Sequence, residues 1–216
     1  MNRRSAQQII ADLKALRIAQ GKADWWPAYE NHVCGAAEIA CRIAKHIREL
    51  DSEEAYISGL LHDCAKFEQN KQQRFHGVIG YEIMISRNEP EIARACLLHT
   101  FPFNKLPPYK ECRELFFNRV NDYNLTATYI KQHPLTEADL LIQTADSITD
   151  YRGFVTIEQR AAEVERFHNT KIDDKTLHCR RQLKEYFDRK TGIDIYSLFS
   201  QPPCSFLTPP KSWTQI

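Results

Sequence analysis

The sequence predicts an all-α, single-domain protein of about eight to ten helices, and three observations support this fold class. Apolar residues recur mostly at spacings of three and four, the period of a helix with one buried face. Glycine is scarce, with 7 in 216 residues, and no run of alternating apolar and polar residues predicts long strands. The composition, 43% hydrophobic and 26% charged, is typical of a globular domain with one sizeable core.

The N-terminal quarter predicts two helices separated by a loop. Residues 4–18 place their apolar side chains on one helical face, so we expect an amphipathic first helix there. Residues 20–29 contain a glycine, two adjacent tryptophans and Pro27, which indicates a loop packed by aromatic side chains. Small and branched apolar residues recur at helical spacing over residues 30–49 and predict the second helix, with His32 in its first turn.

The next three helices are predicted from caps and apolar runs. Ser52 is a plausible N-cap for a third helix, which ends at His62. A fourth helix begins near Phe75, after a polar loop. Asn88 followed by Pro90 marks the start of a fifth, because proline is favoured in the first turn of a helix.

Residues 101–138 carry the weakest signals in the chain, and their role is left open. Three prolines predict a loop over residues 101–108, and a helix is expected over residues 110–120. Residues 121–134 have the least regular pattern, so we expect irregular structure there. Aromatic residues of this region could stack on a base or pack on the core: Phe101, Phe103 and Tyr109.

Two capping signatures open the later helices. Thr136 with Asp139 resembles a capping box, and Thr156 with Gln159 repeats that pattern. A last helix is expected over residues 174–190, ended by a glycine. No internal repeat or linker divides the chain.

The domain is therefore expected to span residues 1–200. Residues 201–216 contain four prolines without helical periodicity and are expected to form an irregular tail.

Charge and cysteine content narrow the classes of partner and compartment. Lysine plus arginine (29) nearly balances aspartate plus glutamate (28), which argues against binding a long nucleic acid but permits a small anionic substrate. Seven cysteines, an odd number without a Cys-x-x-Cys motif, favour a reducing cytoplasmic location. No apolar run approaches the roughly 18–20 residues of a membrane span, and the N-terminus does not resemble a signal peptide.

Three separated segments are typical of one metal site: His32, the adjacent pair His62-Asp63, and Asp146. The pair ends one apolar run, and Asp146 lies in an apolar stretch of another. A buried carboxylate without a partner costs several kcal/mol, and a divalent cation is an effective partner for carboxylates and imidazoles together. The alternatives are a chance pair at a polar helix end and an aspartate that caps a local backbone group.

Further candidates accompany these segments. His76 and His99 each lie in or beside an apolar face, where each could also be an ordinary half-buried histidine. Lys66 and Arg152 are candidates for binding phosphate, because an ammonium offers a point charge and a guanidinium offers a fork of donors. Either cation could equally be a solvated surface residue.

The order of these residues resembles the HD superfamily of metal-dependent phosphohydrolases, an all-α fold named for its His-Asp pair. The resemblance covers about residues 28–152 and is strongest over residues 59–66, Gly-Leu-Leu-His-Asp-Cys-Ala-Lys. The surroundings of the two further histidines and of Asp146 look like the bacterial symmetrical dinucleoside tetraphosphatases. The insert after His99 is longer than expected for them, and residues 139–199 look more like small bacterial HD-domain proteins without an assigned substrate.

The resemblance implies a site of one or two divalent ions, from among Fe, Mn, Co and Zn. It implies six metal ligands: His32, His62, Asp63, His76, His99 and Asp146. Asp63 would bridge two ions, with His76 and His99 completing one of them. Asp63 and Lys66 would be catalytic, and Lys66 with Arg152 would bind the substrate.

The activity implied is hydrolysis of a phosphomonoester or phosphoanhydride of a nucleotide-like substrate by metal-activated water. Two alternatives remain at this point: a non-catalytic nucleotide-binding HD module, and a di-iron oxygenase on the same fold. The expected partner is a small phosphorylated compound, with no membrane. Gly77 and Gly80 would allow a close approach between helices, within one chain or in a homodimer.

Overall fold

The computed structural model describes residues 1–168 and 172–199, and this part of the chain is all-α, as predicted. The expected tail of residues 201–216 lies outside the described residues, and so does Cys204. The domain limits of 1–200 stay a prediction. Among the described residues, no helix is long and apolar enough to cross a membrane.

The helices follow one another along the chain with short connections. In order they are α1 (Arg3–Ala19), α2 (Trp26–Ala44), α3 (Ser52–Leu61), α4 (Gln69–Gln72), α5 (His76–Ser86), α6 (Pro90–Leu98), α7 (Tyr109–Cys112), α8 (Val120–Gln132), α9 (Glu137–Ser147), α10 (Ile157–His168) and α11 (Asp174–Thr191). Without the single turns α4 and α7, nine helices remain in the described residues, in agreement with the predicted number. The strands β1 (Thr149–Asp150) and β2 (Gly153–Phe154) form one short antiparallel pair.

Helix α2 is the centre of the fold, because α3, α9 and the β1–β2 pair all pack against it. Its closest neighbour is α3, and Gly59 makes this approach possible. A Cβ at Gly59 would lie 2.8 Å from the carbonyl oxygen of Ala36 and 2.8 Å from the Cα of Ala37. The backbones of the two helices therefore touch at this point, one turn before α3 ends at the His-Asp pair.

The start of α2 corrects the sequence prediction. The helix begins at Trp26 and not near residue 30, so the predicted loop over residues 20–29 is wrong in its second half. Pro27 lies in the first turn, where its fixed φ favours the helix and its missing N–H costs nothing. His32 consequently lies in the second turn of α2. The N-cap of α3 is also displaced by one residue, since Asp51 and not Ser52 accepts the first backbone N–H groups.

Residues 121–134 provide the largest correction, since nearly all of them belong to the regular helix α8. Side-chain packing outweighs the weak intrinsic pattern. Asp122 is buried and binds the guanidinium of Arg74, with an Oδ1–Nη2 distance of 2.9 Å. The helix expected over residues 110–120 is in turn only the single turn α7, followed by turns with positive φ at Phe117 and Asn118.

The predicted capping signatures are confirmed. Thr136 and Asp139 form a reciprocal capping box at the start of α9, which fixes the helix that carries Asp146. Thr156 and Gln159 exchange the same pair of hydrogen bonds at the start of α10. Helix α11 ends before Gly192, as predicted, with φ 75° at that glycine.

Candidate metal centre

Six side chains from five helices meet at one buried point. Their positions share one property, since all but one lie at a helix end: His32 in the second turn of α2, His62 and Asp63 directly after α3, His76 at the start of α5, His99 directly after α6, and Asp146 in the last turn of α9. The five residues other than Asp146 are buried, and the side chain of Asp146 is 14% exposed.

The first group of donor atoms consists of His32, His62 and Asp146. The two Nε2 atoms lie 3.3 Å apart, and Asp146 Oδ1 lies 3.3 Å from Nε2 of His32 and 3.8 Å from Nε2 of His62. Asp63 Oδ2 approaches the same group, at 3.7 Å from Nε2 of His32.

The second group of donor atoms is formed by Asp63, His76 and His99. Asp63 Oδ1 lies 3.0 Å from Nε2 of His76 and 3.3 Å from Nε2 of His99, and the two Nε2 atoms are 3.2 Å apart. Asp63 therefore faces both groups, with one carboxylate oxygen towards each. This is the arrangement of a carboxylate that can bridge two ions.

Backbone and amide oxygens orient three of the four imidazoles. His62 Nδ1 donates to the carbonyl oxygen of Gly59 at 2.7 Å, and His99 Nδ1 donates to that of Cys96 at 2.9 Å. His76 Nδ1 lies 2.9 Å from Oε1 of Gln69. A proton held at Nδ1 leaves the Nε2 lone pair directed at the cluster, as a metal ligand requires.

The electrostatics of the cluster keep the two carboxylates ionised. Burial alone would raise the pKa of Asp63, but the charge of Lys66 and the contacts with His76 hold it well below its usual range. Burial likewise opposes ionisation of Asp146, and its contacts with His32 and His62 hold its pKa well below the usual range.

The histidines respond differently to the same burial. Burial lowers the pKa of His32. Burial together with the charge of Lys66 lowers the pKa of His76 to about 3. For His62, the nearby carboxylates of Asp146 and Asp63 outweigh burial and raise the pKa. Neutral His32 and His76 beside ionised carboxylates are the protonation states in which these residues bind metal.

The donor distances fit a metal ion. Two donors about 2.1 Å from one ion lie about 3.0 Å apart at a right angle and about 3.4 Å apart at a tetrahedral angle. Within each group the separations of 3.0 to 3.8 Å match or slightly exceed these values. Two overlapping triads could each hold an ion: His32 with His62 and Asp63, and Asp63 with His76 and His99. Nitrogen and oxygen ligation suits Fe, Mn, Co or Zn.

The two predicted phosphate-binding cations lie in different surroundings. Lys66 reaches the cluster, with Nζ 4.0 Å from Asp63 Oδ2 and 29% of its side chain exposed. Arg152 instead forms an ion pair with the fully buried Asp150, with a distance of 2.9 Å from Nε to Oδ2. Among the described residues, no hydrogen bond or ion pair links Arg152 directly to the six clustered side chains.

Sequence reasoning missed two arginines that act on this centre. The charge of Arg160, on α10, lowers the pKa of His32. The carboxylate of Asp146 acts to raise the pKa of Arg160 and of Arg180, on α11. A signal was present, because Arg180 lies three residues from both Leu177 and Leu183, in the apolar stripe of α11. A charged residue in such a stripe usually has a buried partner or a ligand.

The aromatic residues of the 101–109 segment are packed into the structure. Phe101 is 3% exposed and contacts the rings of Phe75 and Phe116. Phe103 packs against the core, and Tyr109 contacts the ring of Tyr123. These contacts favour core packing over base stacking.

Residues 29–150 match the profile of the HD domain family. The match covers more than half of the 216 residues and includes all six side chains of the cluster. No curated protein and no solved structure is significantly similar to the chain. The extent of the profile match shows that the chain belongs to the HD domain family.

Proposed function

We propose that the protein is a metal-dependent phosphohydrolase that cleaves a phosphomonoester or phosphoanhydride of a nucleotide-like substrate. The observation that carries the proposal is the position of Asp63, whose two oxygens face two separate groups of histidines. Membership of the HD domain family supports it, since the family generally consists of metal-dependent phosphohydrolases.

The geometry suggests a separate role for each residue of the cluster. Bound divalent ions would lower the pKa of a water molecule and neutralise charge on phosphoryl oxygens. His32, His62 and Asp146 would hold one ion, His76 and His99 the other, and Asp63 both. Lys66 would bind a phosphoryl oxygen, because its ammonium lies beside Asp63 and remains accessible to solvent.

Two hydrogen bonds from neighbouring residues hold the ligands of this cluster in position. The hydroxyl of Tyr29 donates to the carbonyl oxygen of Asp63 at 3.3 Å, which ties the turn after α3 to α2. Gln69 orients His76 from the single turn α4. Both contacts fix ligand positions without occupying the Nε2 atoms.

A narrower proposal within this class is a symmetrical dinucleoside tetraphosphatase, supported by the resemblance around His76, His99 and Asp146. The metal identity, the cytoplasmic location and a homodimer also stay predictions. Gly77 and Gly80 are explained within one chain: a Cβ at Gly77 would lie 2.8 Å from the carbonyl oxygen of Cys96, and one at Gly80 would lie 3.0 Å from Cys96 Cβ.

The experiment follows phosphate release by the purified protein with added Mn²⁺, Co²⁺ or Fe²⁺. The compounds are nucleoside mono-, di- and triphosphates, dinucleoside polyphosphates and an aryl phosphate. Asp63→Asn removes the bridging charge with little change of shape, and Asp12→Asn on the exposed face of α1 is the matched control.

Metal-dependent release that Asp63→Asn abolishes and Asp12→Asn retains is the expected result. Bound metal without release from any phosphate compound would contradict the proposal and favour the di-iron oxygenase. Neither metal nor release would favour the non-catalytic nucleotide-binding module.

A further inference from the structure

Three cations belong to elements at or next to the centre. Nζ of Lys66 lies 4.0 Å from Oδ2 of Asp63. Arg160 lies on α10 and Arg180 on α11, and α11 packs on α10 and on α9, the helix that carries Asp146. The charge of Arg160 lowers the pKa of His32, and the carboxylate of Asp146 raises the pKa of Arg160.

The positive charge of Arg160 is already balanced by a neighbouring carboxylate. It forms an ion pair with Glu163, one turn further along α10, and the side chain of Glu163 is only 3% exposed. Burial opposes the charge of Arg160, but Glu163 and Asp146 raise its pKa above the usual value. Arg160 therefore stays charged and held in place, with its charge largely balanced.

Arg180 has no such partner. Its Nε and Nη1 atoms are shielded from solvent and make no hydrogen bond within the described part of the chain. No acidic residue of that part lies within ion-pair distance of it. Burial lowers the pKa of Arg180, the charge of Asp146 partly offsets this, and Arg160 lowers it further.

The buried guanidinium of Arg180 is energetically unfavourable unless an anion accepts its hydrogen bonds. Burying N–H groups of a charged guanidinium without acceptors is unfavourable, and a second guanidinium nearby adds repulsion. Helix α11, which carries Arg180, packs on both α9 and α10. Tyr186, in the second half of α11, bonds Glu137 at the start of α9, so Arg180, about two turns earlier on α11, lies towards the end of α9 that carries Asp146. Because α9 places Asp146 in the first group of donor atoms, an anion bound by Arg180 would lie next to the metal centre.

We propose that Arg180 binds a second phosphate group of the substrate, next to the phosphate at the metal centre. The inference rests on the proposed function and specifies its substrate class as a phosphoanhydride. A guanidinium fork suits phosphate because it offers two parallel N–H donors. A simple phosphomonoester would be bound by metal ions held at the centre and by Lys66, without using Arg180.

The chemistry of such a substrate balances without a further reactant. The oxygen of one water molecule joins the phosphorus at the centre, and the bridging P–O bond breaks with its electron pair on the departing oxygen. The departing phosphate is the group bound by Arg180, and the protons of the water go to the products and the buffer.

The test measures binding of two probes to the purified 216-residue protein by calorimetry. The probes are inorganic phosphate and imidodiphosphate, which has two phosphates joined by a hydrolysis-resistant P–N–P bridge. Arg180→Ala is compared with Arg181→Ala, which removes the same charge one residue later, where the arginine is exposed and pairs with Glu158. Metal content and thermal unfolding are recorded for each variant.

We expect the wild type and Arg181→Ala to prefer imidodiphosphate to phosphate. Arg180→Ala should bind imidodiphosphate about 10- to 100-fold more weakly, as expected for lost charged hydrogen bonds, and phosphate nearly as well as before. Arg180→Lys keeps the charge but not the fork, so it should lose part of the preference, and it serves as the test if Arg180→Ala does not fold.

Equal binding by Arg180→Ala and Arg181→Ala would overturn the inference. A parallel loss for both probes together with lost metal would also overturn it, since Arg180 would then support Asp146 and not bind substrate. These outcomes are separate from failure of the proposed function, which is absence of metal-dependent phosphate release from every compound in the panel.

Discussion

Replacing Gly59 by alanine should separate α3 from α2 and disturb the metal centre. The added Cβ would lie 2.8 Å from the carbonyl oxygen of Ala36 and 2.9 Å from the amide nitrogen of Ala37. Ordinary carbon contacts begin near 3.5 Å, so the helices must part by about 0.7 Å. These are backbone atoms, which cannot rotate away as a flexible side chain could.

Two opposing contributions decide whether Gly59→Ala raises or lowers the stability of the protein. Alanine in place of glycine within a helix should stabilise it by about 1 kcal/mol through propensity alone. Overpacking against backbone costs about 2–3 kcal/mol, the upper part of the range for such changes. The net loss of about 1–2 kcal/mol corresponds to a fall of about 2–8 °C in Tm for a chain of this size.

The same substitution should weaken metal binding. The carbonyl oxygen of Gly59 holds Nδ1 of His62, and Nε2 of that histidine lies 3.3 Å from Nε2 of His32. Disturbing a contact that orients a ligand typically weakens metal affinity by about 10- to 100-fold. The assays are thermal unfolding by circular dichroism and metal competition against a chromogenic chelator.

Ser58→Ala, on the neighbouring position of α3, is the control and should change stability by less than about 0.5 kcal/mol. A Gly59→Ala protein that is more stable than the wild type, or that holds metal as tightly, would refute the close approach of α2 and α3 described above.

Three further substitutions test separate parts of the structure. Arg94→Ala should destabilise the protein by about 3 kcal/mol in chemical denaturation, because it leaves the buried carboxylate of Asp139 without its guanidinium. Tyr186→Phe removes the hydrogen bond to Glu137 that raises the pKa of the phenol to about 12; the wild type should therefore lose stability as the pH rises from about 10 towards 12, and the variant should lack this loss. His76→Ala should lower the bound metal by one ion per chain in elemental analysis, because one group of donor atoms stays complete.

Each of these three predictions has a control variant at an exposed position or a result that would contradict it. Arg181→Ala, in an exposed ion pair with Glu158, should cost less than about 1 kcal/mol, and a similar loss for Arg94→Ala would contradict the buried pair. Parallel curves for Tyr186→Phe and the wild type between pH 10 and 12 would contradict the stated bond. His46→Ala, at an exposed position, should keep the wild-type metal content; a loss matching that of His76→Ala would remove the case for a specific second group.

Much of the fold could be predicted from local signals. The hydroxyls of Thr136 and Thr156 accept hydrogen bonds from backbone N–H groups a few residues later in the chain. The local sequence is therefore enough to predict these caps. Helix α8 was missed because its stability comes from distant contacts, among them the pairing of Asp122 with Arg74. The start of α2 was missed because Pro27 was interpreted as part of a loop, although proline also opens helices.

The candidate site was predictable to the extent that its residues carry a recognisable order along the chain. His62-Asp63 and Asp146 stand in apolar runs where polar residues require a reason. Arg160 and Arg180 were missed because they lie beyond the resemblance of residues 28–152, and only the packing of α11 on α9 and α10 relates them to the helix that carries Asp146. Arg152 was predicted to bind phosphate because its guanidinium offers a fork of donors, and in the structure that fork pairs with Asp150.

The most direct test of the central claim is the metal content of the wild type and of Asp63→Asn, measured by elemental analysis. If Asp63 bridges two ions, the wild type should carry two metal ions per chain and Asp63→Asn should lose both or retain one weakly. Full, tightly bound metal in Asp63→Asn would contradict the account.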